Sequence, residues 1–374
     1  MKSIHQIILN HLIISICLVL LCTENNYAQY ITPGDKQIHR LINGIHYEEG
    51  HWEYPSLGAP FRSLGNHRAV VRIRSEDRAV RVTIPWRRCD REPDKKDVLI
   101  IKARSGDTVF NRIIQHADRE YANIVFEPDP DSEIYYCYYY PYESTGGYYP
   151  EVNYLVPAET ADPAWRSMVE NMSMQKFLEL PVASVESIQS IDRFNSFFPM
   201  EIISTREELD TFMKTQPADV ILFPEFREYP IRMKNDIPYH WIRRGLKNGL
   251  QDTVRQGEYY TFQVGVYARN TAVAGLEILY SDLMSKGNAT IHKKQIECIN
   301  TDIVDLNGRY HKKKLDIEKG TVQPLWMGIS IPDSIPPGTY RGFLSLTSEN
   351  WRGDTIHLEL DILPHKIRDF GDNS

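Results

Sequence analysis

The sequence predicts a mainly β protein: two antiparallel β-sandwich domains joined by a mixed, proline-rich segment with short helices. Three observations carry this. Short runs that alternate apolar and charged residues, such as HRAVVRIR (67–74) and AVRVTIPW (79–86), have the period of half-buried strands. Strands of the same kind return after residue 258, in EYYTFQVGVYA, LWMGISIP and TIHLELDIL. Between them the texture changes to helix-start signals and closely spaced prolines.

The elements follow in order. Residues 1–28 read as a signal peptide. Lys2 supplies the charge, IILNHLIISICLVLLC the apolar stretch, and Ala28 a small residue for cleavage. Asn10 and His11 interrupt the apolar run, which argues against a membrane span. A lipoprotein anchor at Cys22 is the alternative, and the large Leu21 before it speaks against it. The chain is therefore expected to be exported; in a Gram-negative bacterium that means the periplasm or cell surface. Residues 44–160 form the first sandwich, with strands at DVLIIKA, NIVFEP and the tyrosine run IYYCYYYPY. Residues 161–250 form a helix-containing connector wrapping between domains. Asp162 is a plausible N-cap before Pro163, and Ser204 or Thr205 opens a second helix with Glu207 and Glu208 in its first turn. DVILFPE reads as a buried strand. Residues 251–366 form a second, immunoglobulin-like sandwich that closes on a hairpin turning at NWRGD. Residues 367–374 begin a linker.

Composition narrows the function. Apolar residues make up 42% and charged residues 25%, ordinary for a globular chain. The net charge of −7 argues against nucleic acid, whose binders carry a strong basic face. The run HKKK (311–314) reads as a solvated turn. Cys89, Cys137 and Cys298 remain after the leader, scattered and without a C-x-x-C pair, so no zinc site and no disulfide framework is expected. Cys137 reads as a small buried hydrophobe. No cofactor or metal motif is found: no H-E-x-x-H, no G-x-S-x-G, no phosphate loop and no G-x-G-x-x-G. The acid pairs Glu48-Glu49 and Glu207-Glu208 are better explained by capping and helix dipole than by the two opposed carboxyls of a glycosidase.

Aromatics and arginines remain. In a regular strand Tyr136, Tyr138 and Tyr140 share one face, and Tyr135 and Tyr139 the other. Tyrosine can stack on a sugar and hydrogen-bond to it, and it also fills strands for its propensity alone. The three on one face are therefore candidates either for carbohydrate contact or for packing on another domain. Trp86, Arg87, Arg88 and Asp90 are candidates for a polar ligand cluster or for an interdomain salt-bridge network, with the network favoured.

The ordered set LGNHRAVVRI, VRVTIPWRRCD, IVFEP, YYCYYYPY, FNSFFPMEIISTREEL and LFPEFREYPIRM resembles the N-terminal region of bacterial glycoside hydrolase family 123-like proteins. So does the tail, with QGEYYTFQVGVYA, QPLWMGISIP and IPPGTYRGFLSLT in order. The resemblance implies an exported polysaccharide-degrading system of the Bacteroidetes type. It implies N-terminal β-sandwiches followed by a (β/α)8 barrel, and a β-N-acetylgalactosaminidase activity in which the substrate's acetamido group attacks the anomeric carbon, oriented by an Asp beside an acid Glu. The sequence stops at IRDFGDNS, where such a barrel would begin, and a barrel needs about 250 residues. The Asp-Glu pair has no counterpart here. The expectation is a non-catalytic scaffold or carbohydrate-associated module, with a glycan and a C-terminal barrel as partners. The alternative is part of an active glycosidase whose barrel lies in further sequence.

Overall fold

The computed structural model describes residues 28–37, 40–53, 60–196 and 198–367. The expected leader, Cys22 included, and most of the expected linker lie outside them. The fold is mainly β, two antiparallel sandwiches with a few short helices. Among the described residues no helix is long and apolar enough to cross a membrane.

The first sandwich sets a six-stranded sheet against a three-stranded one. His67–Arg72 is central, antiparallel to both Ile134–Tyr139 and Ser184–Ser190. Ile45–Glu49 joins in parallel beyond Ser184–Ser190, and Val98–Lys102 forms the other edge. The facing sheet is Val80–Ile84, Ala122–Phe126 and Arg112–Ala117. Alternation sends Val71, Ile100 and Cys137 inward from the larger sheet to meet Val82, Ile124 and Phe126 from the smaller. Cys137 is fully buried, and burial pushes its thiol up to about 12.

The connector is not separate from the sandwiches, because it gives a strand to each. Ser184–Ser190 completes the first sheet. Its register shifts between Val185 and Ser187, which spoils the period-two pattern that would have marked it as a strand. Val220–Phe226 is the edge of a four-stranded sheet in the second sandwich. Pro224 is tolerated in it because an edge strand has one side without ladder bonds. This strand is buried on both faces. Leu222 and Phe226 enter the second core, while Ile221 and Phe223 lie under the helices Arg206–Lys214 and Tyr239–Arg244. That double burial is why DVILFPE is apolar without alternation. The helix starts follow the sequence. Asp162 accepts from the Ala164 and Trp165 amides ahead of Pro163–Glu170, and Thr205 and Glu208 form a capping box on Arg206–Lys214.

The second sandwich packs that four-stranded sheet, with Tyr259–Ala268, Val322–Ser330 and Ile296–Cys298, against a larger one built on Gly249–Gln256, Asp354–Lys366, Gly338–Thr347 and Val273–Tyr280. Phe262, Val264 and Met327 meet Leu250, Leu344 and Leu358 in its core. The last hairpin pairs Leu346 with Asp354, so the turn lies at the NWRGD stretch as expected. The HKKK run differs from expectation: His311 and Lys312 belong to the exposed strand Tyr310–Lys312, paired with Asp302–Val304.

One strand arrives from far away in sequence. Tyr30–Ile31 pairs in parallel with Gly249–Leu250, and Ile31 is fully buried in the second core. Lys36, just beyond it, reaches Asp252 at 2.7 Å. Ile31→Ala is expected to cost about 2–4 kcal/mol, the range for truncating a buried aliphatic. Urea denaturation followed by circular dichroism measures it, and a loss too small to resolve would mean that this strand does not dock.

Candidate functional site

The tyrosine strand Ile134–Tyr139 has two distinct environments. Tyr135 and Tyr139 face the core and are fully buried. Tyr135 donates through its hydroxyl to backbone carbonyls of Asp129 and Ser132, both at 3.2 Å. The outward face carries Tyr136 and Tyr138, and cross-strand pairing builds a row on it. Glu48, Gln189, Arg68 and Tyr138 stand opposite one another on four adjacent strands. Gln189 donates to Glu48 at 2.8 Å, Arg68 Nε donates to Gln189 Oε1 at 2.7 Å, and Arg68 Nη1 donates to the Tyr138 hydroxyl at 2.7 Å. The Arg68 guanidinium also lies 3.7 Å from the Tyr136 ring centroid and 4.6 Å from that of Trp52, a cation–π stack. Trp52 meets Tyr138 edge-on at 5.4 Å. Tyr138 is only 5% exposed and Arg68 7%.

Tyr140 does not share the face of Tyr136 and Tyr138. The strand ends at Tyr139, and Tyr140 adopts φ +61°, which turns its ring back toward the core. It is 3% exposed and lies 5.3 Å from Trp86 and 5.6 Å from Tyr139. The period-two expectation failed at the residue before Pro141, where the backbone leaves the sheet.

The second candidate cluster points in three directions. Trp86 is fully buried, its Nε1 donating to the Asp118 carbonyl at 2.7 Å. Arg87, at φ +49°, forks onto Glu208 with bonds of 2.7 and 2.9 Å, and its guanidinium lies 4.9 Å from the Tyr239 ring. It thereby ties the first sandwich to the helix Arg206–Lys214. Arg88 turns beneath Tyr139 and Tyr140, donates to Asp90 at 2.5 Å, and meets His67 Nδ1 at 2.7 Å. Burial pushes Asp90 up, but the charge and hydrogen bond of Arg88 outweigh it and hold the carboxyl below its usual value.

Glu208 and Glu207 therefore differ in role. Glu208 caps its helix and also receives Arg87, so capping alone does not account for it. Glu48 accepts from Gln189 at the end of the polar row. Sequence reasoning missed Arg68, Trp52 and His67. Arg68 was visible as a charged residue at the right parity in HRAVVRIR, but nothing in one strand names its partners on three others. Among the described residues no group of three or more His, Cys, Asp or Glu side chains is placed to hold a metal ion.

The description "Glycoside hydrolase 123, N-terminal domain" belongs to the family model that residues 60–191 match, the span that holds both clusters. Residues 297–348 match a second model, "Glycoside hydrolase 123 N-terminal domain". The chain carries a glycoside hydrolase 123-like N-terminal region. Solved structures with more distant likeness include a family 123 glycoside hydrolase from Clostridium perfringens, described for glycolipid glycan hydrolysis. It has 15% identity and a TM-score of 0.33, and the match covers 40% of this chain and 28% of that one. The N-terminal domain of PorA has 11% identity and a TM-score of 0.24, covering 38% of this chain and 96% of that one. A PapD-like domain of human CEP192 has 10% identity and a TM-score of 0.23, covering 32% and 83%. No curated protein matches the chain. The family statement rests on the two model matches.

Two outcomes follow for this glycoside hydrolase 123-like region. Removing one member of a buried ion pair leaves the other charge unanswered. Glu208→Ala is expected to destabilise by about 3 kcal/mol, and adding Arg87→Met should recover part of the loss. Chemical denaturation of both variants measures it, and strictly additive losses would refute the coupling. The second outcome concerns pH. Burial, then the charge of Arg88, holds His67 well below the ordinary histidine value. Burial, then Arg244, holds His240 down to about 3. The unfolded chain therefore binds protons that the fold refuses. Stability is full above about pH 6.5 and falls as pH drops below it, by about 1.4 kcal/mol per pH unit for each histidine. His240→Gln should make the decline between pH 7 and 5 shallower, and an unchanged slope would count against this assignment.

Proposed function

We propose that this chain is the non-catalytic β-sandwich region of an exported glycoside hydrolase 123-related protein, and that it acts as a scaffold. The observation that carries the reading is the engagement of the tyrosine strand. Tyr135, Tyr138, Tyr139 and Tyr140 are buried, and the outward Tyr136 is covered by Arg68. Stacking on a sugar needs an open ring face; the four buried rings offer none, and Arg68 lies over the half-buried Tyr136. The Arg87–Glu208 fork supports the same reading, since it spends the most specific polar contact of the cluster on internal geometry.

The relation to family 123 supports glycan as the substrate class of the wider protein and supports placing its chemistry in a domain of another kind. In the alternative, an active glycosidase of the β-N-acetylgalactosaminidase type, this region keeps the same scaffold role. Tyr138→Ala and Tyr140→Ala are expected to destabilise the fold by about 3–5 kcal/mol each, as for truncated buried aromatics. A melting curve measures this. A well-folded Tyr138→Ala that had lost affinity for an oligosaccharide would overturn the scaffold reading in favour of a glycan platform. Release of nitrophenol from nitrophenyl β-N-acetylgalactosaminide by the purified chain would overturn the non-catalytic part.

A further inference from the structure

A groove runs between the first sandwich and the connector, bordering the Arg87 cluster at Tyr239. It consists of two clefts, of about 250 and 450 Å³, that meet at Phe198 and Pro199. Phe198, Ile202 and Tyr239 line the smaller cleft, and Phe198 and Tyr229 line the larger. A volume of this size suits a small ligand of one or two rings.

The walls are charged, and the charges do not balance. Seven arginine or lysine side chains line the two clefts against four carboxylates. This local excess stands in a chain whose net charge is −7. The carboxylates are already engaged. Asp35 accepts from the Thr32 amide at 2.7 Å, Glu228 pairs with Lys36 at 3.3 Å, Glu201 with Arg232 at 3.6 Å, and Glu49 lies 3.9 Å from His51. Arg244 is committed to the fully buried Glu225 at 3.0 Å. Among the described residues, Arg40, Arg193 and Lys247 have no ion-pair partner. Arg40 and Arg193 line the larger cleft, and the half-buried Lys247 lines the smaller. Unanswered cations in each of two joined clefts that share aromatic lining residues are complementary to a ligand that carries oxyanions and an apolar ring face.

We propose that this groove binds a short acidic saccharide, its carboxylate or sulfate oxyanions paired with Arg40 and Arg193 at one end and with Lys247 at the other. The oxyanion half of the inference rests on the cations alone. The saccharide half rests on the proposed link to glycans. The carboxylate of a uronic acid and a sulfate ester share this recognition chemistry and differ in their source.

Titration calorimetry on the purified chain tests it with four probes: an oligoglucuronate, a sulfated galactose oligosaccharide, a neutral galactose oligosaccharide of equal length, and inorganic sulfate. At least one acidic oligosaccharide is expected to bind, with affinity that falls as sodium chloride is raised. The tighter of the two identifies the source of the oxyanion. Arg193→Gln and Lys247→Gln change solvent-accessible side chains that bridge nothing, so the melting temperature should hold while affinity drops about tenfold for each. Equal binding of the neutral oligosaccharide would overturn the oxyanion assignment. Equal binding of inorganic sulfate would overturn the saccharide half. No binding by either acidic probe, or unchanged affinity in both variants, would overturn the whole. These readouts are separate from the hydrolysis and tyrosine tests, so the groove can fail while the scaffold reading stands.

Discussion

A guanidinium buried under two tyrosine rings is the constraint around which the first sandwich is arranged. Arg88 cannot leave its charge unanswered in a low-dielectric interior. Asp90 supplies the counter-charge and His67 supplies a neutral acceptor, with its other ring nitrogen 2.8 Å from the Asn195 carbonyl. The rings above it must then close the site. Tyr139 does so as a normal strand residue, and Tyr140 only by leaving the sheet with positive φ. That departure brings the Tyr139 carbonyl close to Gly65, where an added Cβ would stand 2.6 Å from it. Glycine at φ +109° is the residue that fits there.

Adjacent arginines with opposite destinations follow from one backbone torsion. The positive φ at Arg87 lets it reach outward to Glu208 while Arg88 reaches inward to Asp90. A buried ion pair adds little net stability over an apolar substitute, but a forked arginine–carboxylate pair strongly restricts geometry. The pairing of Arg119 with Asp236 at 2.5 Å and the isolated bridge of Arg88 with Ile202 extend the same seam. Charged and backbone contacts thus fix the first sandwich against the connector, alongside the apolar contacts of Ile202, Phe198 and Tyr239 with the first core.

Much of the fold was legible in the chain. The alternation of HRAVVRIR, the capping box at Thr205 and Glu208, and the NWRGD turn are local signals, and local physics decides them. What stayed hidden was non-local. Ser184–Ser190 lost its signature to a bulge, and Tyr30–Ile31 is too short to show one. The family resemblance was legible because its motifs are ordered along the sequence. The candidate residues stood out in the sequence as aromatics and arginines, but their partners were not readable. Arg68 completes a row across four strands, and no spacing within one strand encodes that. Tyr140 was assigned to the wrong face because period two holds only while the backbone stays extended.

The parallel pairing of Tyr30–Ile31 with Gly249–Leu250 makes the first sandwich an excursion from the second. Gln29 and Asn248 meet although they stand 219 positions apart in the chain. During synthesis, which proceeds from the N-terminus, the whole first sandwich leaves the ribosome before the partner of that opening strand exists. This early segment is among the last to find its place, and until then Ile31 must be carried unpaired beside a domain that has already folded.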